Sequence, residues 1–183
     1  MGYQSIMNSQ GVILWLTGLS GAGKTTIAKG VAQELLTRNW RVELLDGDVV
    51  RSNLSQGLGF SKEDRDTNIR RIGFVANLLS RNGVVAIVAA ITPYRSIRDE
   101  LRRTTTNFVE VYVQASLAVC ESRDVKGLYV QARAGKIKNF TGISDPYEEP
   151  LNPEITCMTE KFTIEQCVSQ VVNYLHRQEY IVI

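Results

Sequence analysis

GLSGAGKT at residues 18–25 follows the apolar run VILWL at residues 12–16 and fits G-x-x-x-x-G-K-[ST], the pattern of a phosphate-binding loop set between a strand and a helix. Gly18, Gly21 and Gly23 open backbone conformations closed to residues with a β-carbon. The N–H groups from Gly18 through Leu19, Ser20, Gly21, Ala22 and Gly23 can then converge on phosphate oxygens. Lys24 reaches for the β- and γ-phosphates. Thr25 and Thr26 open the following helix, whose N-terminus adds partial positive charge, and the Thr25 hydroxyl is placed to ligate Mg²⁺. A Gly-rich turn matching by chance is the plain alternative. The complete motif and the flanking strand and helix patterns speak against it, so the chain is expected to bind ATP or GTP.

Working outward, Ile27, Val31, Leu35 and Leu36 recur at helical spacing up to Asn39, and residues 41–45 read as a second strand. Residues 64–80 are helical, with Ile69, Ile72, Phe74, Val75, Leu78 and Leu79 as apolar positions and Arg81-Asn82-Gly83 as the stop. A buried strand at 84–91, a helix from Pro93 through Arg103, a strand at 108–113 and a helix at 117–123 follow. Residues 127–153 carry Gly135, Gly142, Pro146, Pro150 and Pro153 and break the pattern, which predicts a mobile lid over a site, from about 124 to 153. A last strand at 155–158 and a closing helix with Ile164, Cys167, Val168, Val171, Val172 and Leu175 complete one domain over 11–183. Residues 1–10 are polar and aperiodic, expected as a loose leader. The fold class is therefore α/β: a P-loop kinase-like parallel sheet of about five strands, helices on both faces, and ligands at the carboxyl ends of the strands.

With 183 residues, 44% of them hydrophobic, the chain can bury a core without disulfides or metals. A net charge of +2 is too small to argue for a nucleic-acid or acidic-membrane partner. The longest apolar stretch, residues 83–91, is too short to span a bilayer, and no signal-peptide pattern opens the chain. A cytoplasmic protein is the expectation. Cys120, Cys157 and Cys167 lack C-x-x-C spacing and read as reduced structural thiols, although spacing alone leaves a disulfide open.

Asp46 and Asp48 flank Gly47 at the end of the second strand, where carboxylates can hold Mg²⁺ or accept a proton from an attacking hydroxyl. Helix capping is the plain alternative, better suited to Asp48 than to Asp46, which precedes a glycine. Arg51, Arg65, Arg70 and Arg71 would singly be solvated; as a set beside a phosphate loop they suggest a second anionic ligand needing fork-shaped donors.

Beyond the phosphate loop, LDGDVVR (45–51), LGFS (58–61), DRDTNIRRIG (64–73), ITPYR (91–95), RDVKGLY (123–129) and ARAGKIKNFTGISDPYEEP (132–150) closely resemble the adenylylsulfate kinases, over about residues 12–178. The resemblance implies transfer of the ATP γ-phosphate to the 3′-hydroxyl of adenosine 5′-phosphosulfate, with MgATP as cofactor, a homodimer, and no nucleic-acid or membrane partner. It implies acceptor contacts from Asp46, Arg51, Phe60, Arg65, Asn68, Ile91, Lys126, Leu128 and Phe140. Phe60 and Phe140 suit a clasp on a flat adenine. Core packing is their plain alternative, weak for Phe140 because its neighbours are not a core run. Arg123 resembles a residue covering the ATP adenine. Lys24, Asp46 and Asp48 would be catalytic, with Thr25 and Asp46 at the metal. Thr92 stands where many members carry Ser, a position sometimes assigned to a phosphorylated intermediate; direct transfer is favoured, since positioning and charge neutralisation supply most phosphoryl-transfer catalysis. A different small-molecule or nucleoside monophosphate kinase, and a regulatory module that binds nucleotides without turnover, are the other readings.

Overall fold

The computed structural model describes residues 11–182, so the leader expected at 1–10 lies outside the described residues. Strand β1 (Val12–Thr17) is buried at all six positions, as a strand covered on both faces must be. It occupies the centre of a five-stranded parallel sheet ordered β2-β3-β1-β4-β5, with β2 (Val42–Asp46), β3 (Val85–Ala89), β4 (Phe108–Gln114) and β5 (Ile155–Met158). The fold class is that expected from the alternation of apolar runs and helical periods.

Successive side chains of β1 serve opposite layers. Val12, Leu14 and Leu16 enter the core beneath helices α1 (Lys24–Thr37) and α7 (Ile164–Arg177), together with Cys157 and Cys167. Ile13 and Trp15 enter the opposite core with Ile69, Ile72 and Ala76 of α3 (Lys62–Arg81) and Ile97 and Leu101 of α4 (Arg95–Thr104). All three cysteines are free and buried. Helix α7 starts on a reciprocal cap, the Thr163 hydroxyl accepting from Gln166 N–H while the Gln166 amide oxygen accepts from Thr163 N–H.

Three local departures from the sequence expectations have physical causes. A short helix, α2 (Gly47–Asn53), follows β2, and its cap is Asp46 rather than Asp48: the Asp46 carboxylate accepts from Asp48 N–H at 3.0 Å. Gly47 did not prevent this, because a cap needs extended backbone only at the capping residue itself. In α3, Phe74 is 66% exposed and Leu78 lies at its edge, so the helical period of this segment carries two apolar residues off the core-facing stripe. The long segment after α5 (Leu117–Arg123) is not featureless. It contains α6 (Leu128–Arg133), a buried Thr141, and a base where Tyr147 bonds to Thr17 at the end of β1 and Glu148 and Glu149 bond to α4 and the turn before it.

The two helices on the first face meet closely at Gly30, where an added β-carbon would lie 2.6 Å from Val168 Cγ2. Gly30→Val is therefore expected to destabilise the protein by about 1–3 kcal/mol, the usual cost of overpacking. A urea titration would show this as a lower midpoint at unchanged slope; an unchanged midpoint would mean the α1/α7 contact is slack.

Candidate active site

The carboxyl ends of β1, β2, β3 and β4 open on one side of the sheet, and the order of strands changes direction at β1, where such folds place their ligands. The phosphate loop leaves β1 there. Gly18 has φ +150°, and a β-carbon on it would stand 2.4 Å from Val113 O; Gly23 caps α1 in the left-handed region at φ +108°. Both positions require glycine. The loop is braced from behind: Tyr129 Oη donates to Ser20 O at 2.9 Å, Thr159 Oγ1 donates to Ala22 O at 2.9 Å, and the Arg123 guanidinium donates to Thr159 O at 2.9 Å and to Gly21 O at 3.3 Å.

Lys24 is 9% exposed and its ammonium donates to Gly18 O at 2.9 Å and Leu19 O at 2.7 Å, arching back across the loop. Burial lowers its pKa to about 8. Thr25 Oγ1 donates to Asp46 Oδ2 at 2.8 Å, which ties the start of α1 to the end of β2 across the top of β3. Thr26 is exposed and makes no part of this bond. Asp48 is exposed and ion-paired with Lys126, just after α5.

A second cluster lies along α2 and α3. Arg51, one turn beyond Asp48 on α2, stacks over the Phe60 ring with its guanidinium carbon 4.2 Å from the centroid and donates to Leu58 O at 3.2 Å. Burial lowers the Arg51 pKa, and the nearby Arg65 charge adds to that lowering. Arg65 reaches the segment after α6: Nη1 donates to Thr141 Oγ1 at 2.8 Å, Nη2 donates to Asn139 O, and Asp145 lies at 3.6 Å. Asn68 is 7% exposed and its side-chain oxygen has no partner within the protein, a buried acceptor of the kind that ligands or water satisfy. Leu128 opens α6 and is half-buried. Ile91 is also half-buried, its carbonyl accepting from Thr17 Oγ1 at 2.6 Å.

Not every arginine of the expected set belongs here. Arg70 is committed to Glu100 in a two-pronged pair at 2.7 and 2.8 Å, and Arg71 donates to Leu54 O. Phe140 is more of a packing residue than its sequence neighbours suggested: it meets Tyr129 edge-to-face at 5.0 Å and lies against the first core, with its carbonyl accepting from Ile143, Ser144 and Asp145 N–H in a tight turn. The partner comes from α6, too far along the chain for a local reading to find. Thr92 is 1% exposed, at φ +49°, and its hydroxyl accepts from Trp15 Nε1 at 2.9 Å. Thr17 and Thr159 lie outside the motif strings, and Tyr129 and Tyr147 lie inside them with no role read for either. Each acts through one hydroxyl whose partner is distant in sequence.

The family model for adenylylsulphate kinase matches residues 10–158. The chain belongs to the adenylylsulfate kinase family. It is 64% identical over 175 residues to an adenylyl-sulfate kinase of Rippkaea orientalis, covering 96% of this chain and 97% of that one. Among solved structures, the Mycobacterium tuberculosis APS kinase CysC in complex with AMPPNP and APS is similar at a TM-score of 0.88 and 40% identity, over 91% of this chain and 98% of that one. A hexameric APS kinase from Thiobacillus denitrificans is similar at a TM-score of 0.73 and 36% identity, over 98% of this chain but 31% of that one. This adenylylsulfate kinase family member is thus an ATP-dependent kinase, which sets aside the reading as a module without turnover. No described helix is long and apolar enough to cross a membrane.

The lowered pKa of Lys24 has a measurable consequence. Its usual value is 10.5, so between pH 8 and 10.5 the folded protein lacks a proton that the unfolded chain holds, and this group alone makes stability rise with pH across that window. Phosphate oxygens favour the protonated amine. Affinity for ATP is therefore expected to fall as pH rises above 8, by up to about tenfold per pH unit, with proton uptake on binding. Calorimetric titrations in buffers of different ionisation enthalpy would detect it, and Lys24→Ala should abolish the proton uptake.

Proposed function

We propose that the protein transfers the γ-phosphate of ATP to the 3′-hydroxyl of adenosine 5′-phosphosulfate, giving ADP and 3′-phosphoadenosine 5′-phosphosulfate. The observation that carries this is the pairing of a braced phosphate loop with a second cationic, aromatic site: Asp46 bonds Thr25 of the loop, and Arg51, on the helix that Asp46 caps, stacks on Phe60. One nucleotide lies on the loop through Lys24 and the backbone N–H groups from Gly18 to Gly23, with Arg123 beside its base. The acceptor lies on Arg51, Phe60, Arg65, Asn68 and Ile91 and is closed over by Lys126, Leu128 and Phe140. The two arginines supply forked donors for phosphosulfate oxygens, and Asn68 supplies the unpartnered acceptor for a base or sugar donor.

The hydroxyl of Thr25 and the carboxylate of Asp46, held 2.8 Å apart, are hard oxygen donors that suit Mg²⁺, which commonly takes one or two protein ligands besides substrate phosphates. When bound, the ion would neutralise charge on the β- and γ-phosphates. In the transfer, the acceptor 3′-oxygen forms a bond to the γ-phosphorus as the bond from that phosphorus to the β-bridging oxygen breaks. Lys24 spreads the charge that develops, and Asp46, fixed by Thr25 and by the Asp48 amide, orients the hydroxyl and takes its proton. Asp48 holds Lys126 at the acceptor side. Thr92 has no access to a phosphoryl group, because its hydroxyl is buried and receives the Trp15 indole N–H, which supports direct transfer. A lid over about 124–153 shields the γ-phosphate from water, its free part limited to the stretch before the base at Tyr147.

The homodimer implied by family likeness fits the exposed Phe74 and Leu78 on α3, an apolar pair that a second copy would cover. Light scattering should give a mass near twice 20.4 kDa.

A coupled ADP-release assay with a panel of acceptors tests the reaction; turnover is expected with adenosine 5′-phosphosulfate and not with nucleoside monophosphates or sugars. Asp46→Asn should lower kcat by about 10²–10⁴, the range for a positioned acid–base group, and by more than Asp48→Asn does. Thr92→Ala should retain activity well above background. A phosphothreonine at this position that chased into product at the turnover rate would overturn direct transfer.

A further inference from the structure

Arg98 is buried, 2% exposed, on α4, and no step of the proposed reaction uses it. A guanidinium cannot shed its charge at such depth, so every nitrogen needs a partner. Its Nε lies 2.8 Å from Glu110 Oε1, an ion pair rather than a well-directed hydrogen bond. The other two nitrogens serve backbone on different elements. Nη1 donates to Thr92 O at 2.5 Å, in the turn after β3, and Nη2 donates to Glu148 O, at the base of the lid. The guanidinium carbon also lies 5.9 Å from the Tyr147 ring centroid, and the Tyr147 hydroxyl shares a hydrogen bond with Thr17 Oγ1 at the end of β1.

The Thr92 turn requires holding. A β-branched residue at φ +49° is strained, so neighbours must fix it. Trp15 holds its hydroxyl and Arg98 its carbonyl. Immediately before it stands Ile91, the floor of the acceptor site; some fifty residues on stands the lid base. One rigid fork joins them.

We propose that Arg98 is a positioning residue for the acceptor, tying the turn at Ile91 and Thr92 to the lid base at Glu148 so that floor and lid of the acceptor site keep one geometry. This rests on the placement of adenosine 5′-phosphosulfate proposed above. A lysine would still meet the Glu110 charge, but its single nitrogen cannot bridge two carbonyls as well. The ion pair and the bridge are therefore separable by substitution.

The experiment compares wild type, Arg98→Lys and Glu110→Gln by varying ATP and adenosine 5′-phosphosulfate separately, with melting temperature and hydrogen exchange at the Glu148 amide, which donates to Pro93 O at 2.8 Å. Arg98→Lys should raise the acceptor KM by about tenfold or more and speed exchange at Glu148, with the ATP KM within about twofold of wild type. Glu110→Gln should lower the melting temperature while the acceptor KM moves less than about threefold. Equal rises for both substrates, no rise for the acceptor, or a Glu110→Gln variant with the same acceptor defect would overturn the assignment. If Arg98→Lys does not fold, the pair Arg98→Met with Glu110→Met, which removes both buried charges together, is read by the same criteria. Should wild type fail to phosphorylate adenosine 5′-phosphosulfate, the functional reading fails, and Arg98 is then judged on Glu148 exchange alone: unchanged exchange in the variant refutes the tie.

Discussion

The hydrogen bond from Thr25 to Asp46, 2.8 Å long, is the contact on which the arrangement of the site depends. In the sheet, β3 separates β1 from β2, so nothing in the strand ladder alone fixes the phosphate loop against the segment after β2. The Thr25 hydroxyl does so. The same carboxylate that receives it also caps α2, and α2 carries Asp48 and Arg51 in turn toward the second site. A single side chain therefore links the phosphate loop, the carboxylate pair and the Arg51–Phe60 stack, and its two oxygens are both engaged in doing so.

Much of this was legible from the chain. The sheet follows from five apolar runs of four to seven residues, each fully or half buried, and the loop follows from glycines whose conformations and close contacts forbid a β-carbon. These are local demands, and a local pattern reports them. Less legible were the parts that depend on hydroxyl and guanidinium groups meeting backbone carbonyls. Tyr129 bonding to Ser20, Thr159 to Ala22, and Arg98 to Thr92 and Glu148 all join residues by the direction of one side chain, with no periodicity to announce it. Phe140 illustrates the limit from the other side: its neighbours in sequence are polar, yet its ring also packs edge-to-face on Tyr129.

Helix α3 shows why charge counts need geometry. Its arginines at 65, 70 and 71 look alike in a string, but the helical turn sends them to different surroundings. Arg65 points to the lid, Arg70 to Glu100 on α4, and Arg71 to the carbonyl that ends α2. Only the first joins Arg51 beside Phe60. The apolar positions of the same helix divide likewise, Ile69, Ile72 and Ala76 into the core and Phe74 outward, so a helix can satisfy its own period and still keep a surface for another purpose.

Arg65 spends its donors on Thr141, Asn139 and the Phe60 carbonyl, with Asp145 close by, so the lid is fastened by the very group that would greet an incoming anion. Entry of such an anion is then an exchange of partners and not simply an arrival. Each bond surrendered by this segment would be replaced by one to the newcomer, which would couple association to a movement of the protein. The same exchange run backward would set the Thr141 hydroxyl and the Asn139 and Phe60 carbonyls against a departing anion for the same donors.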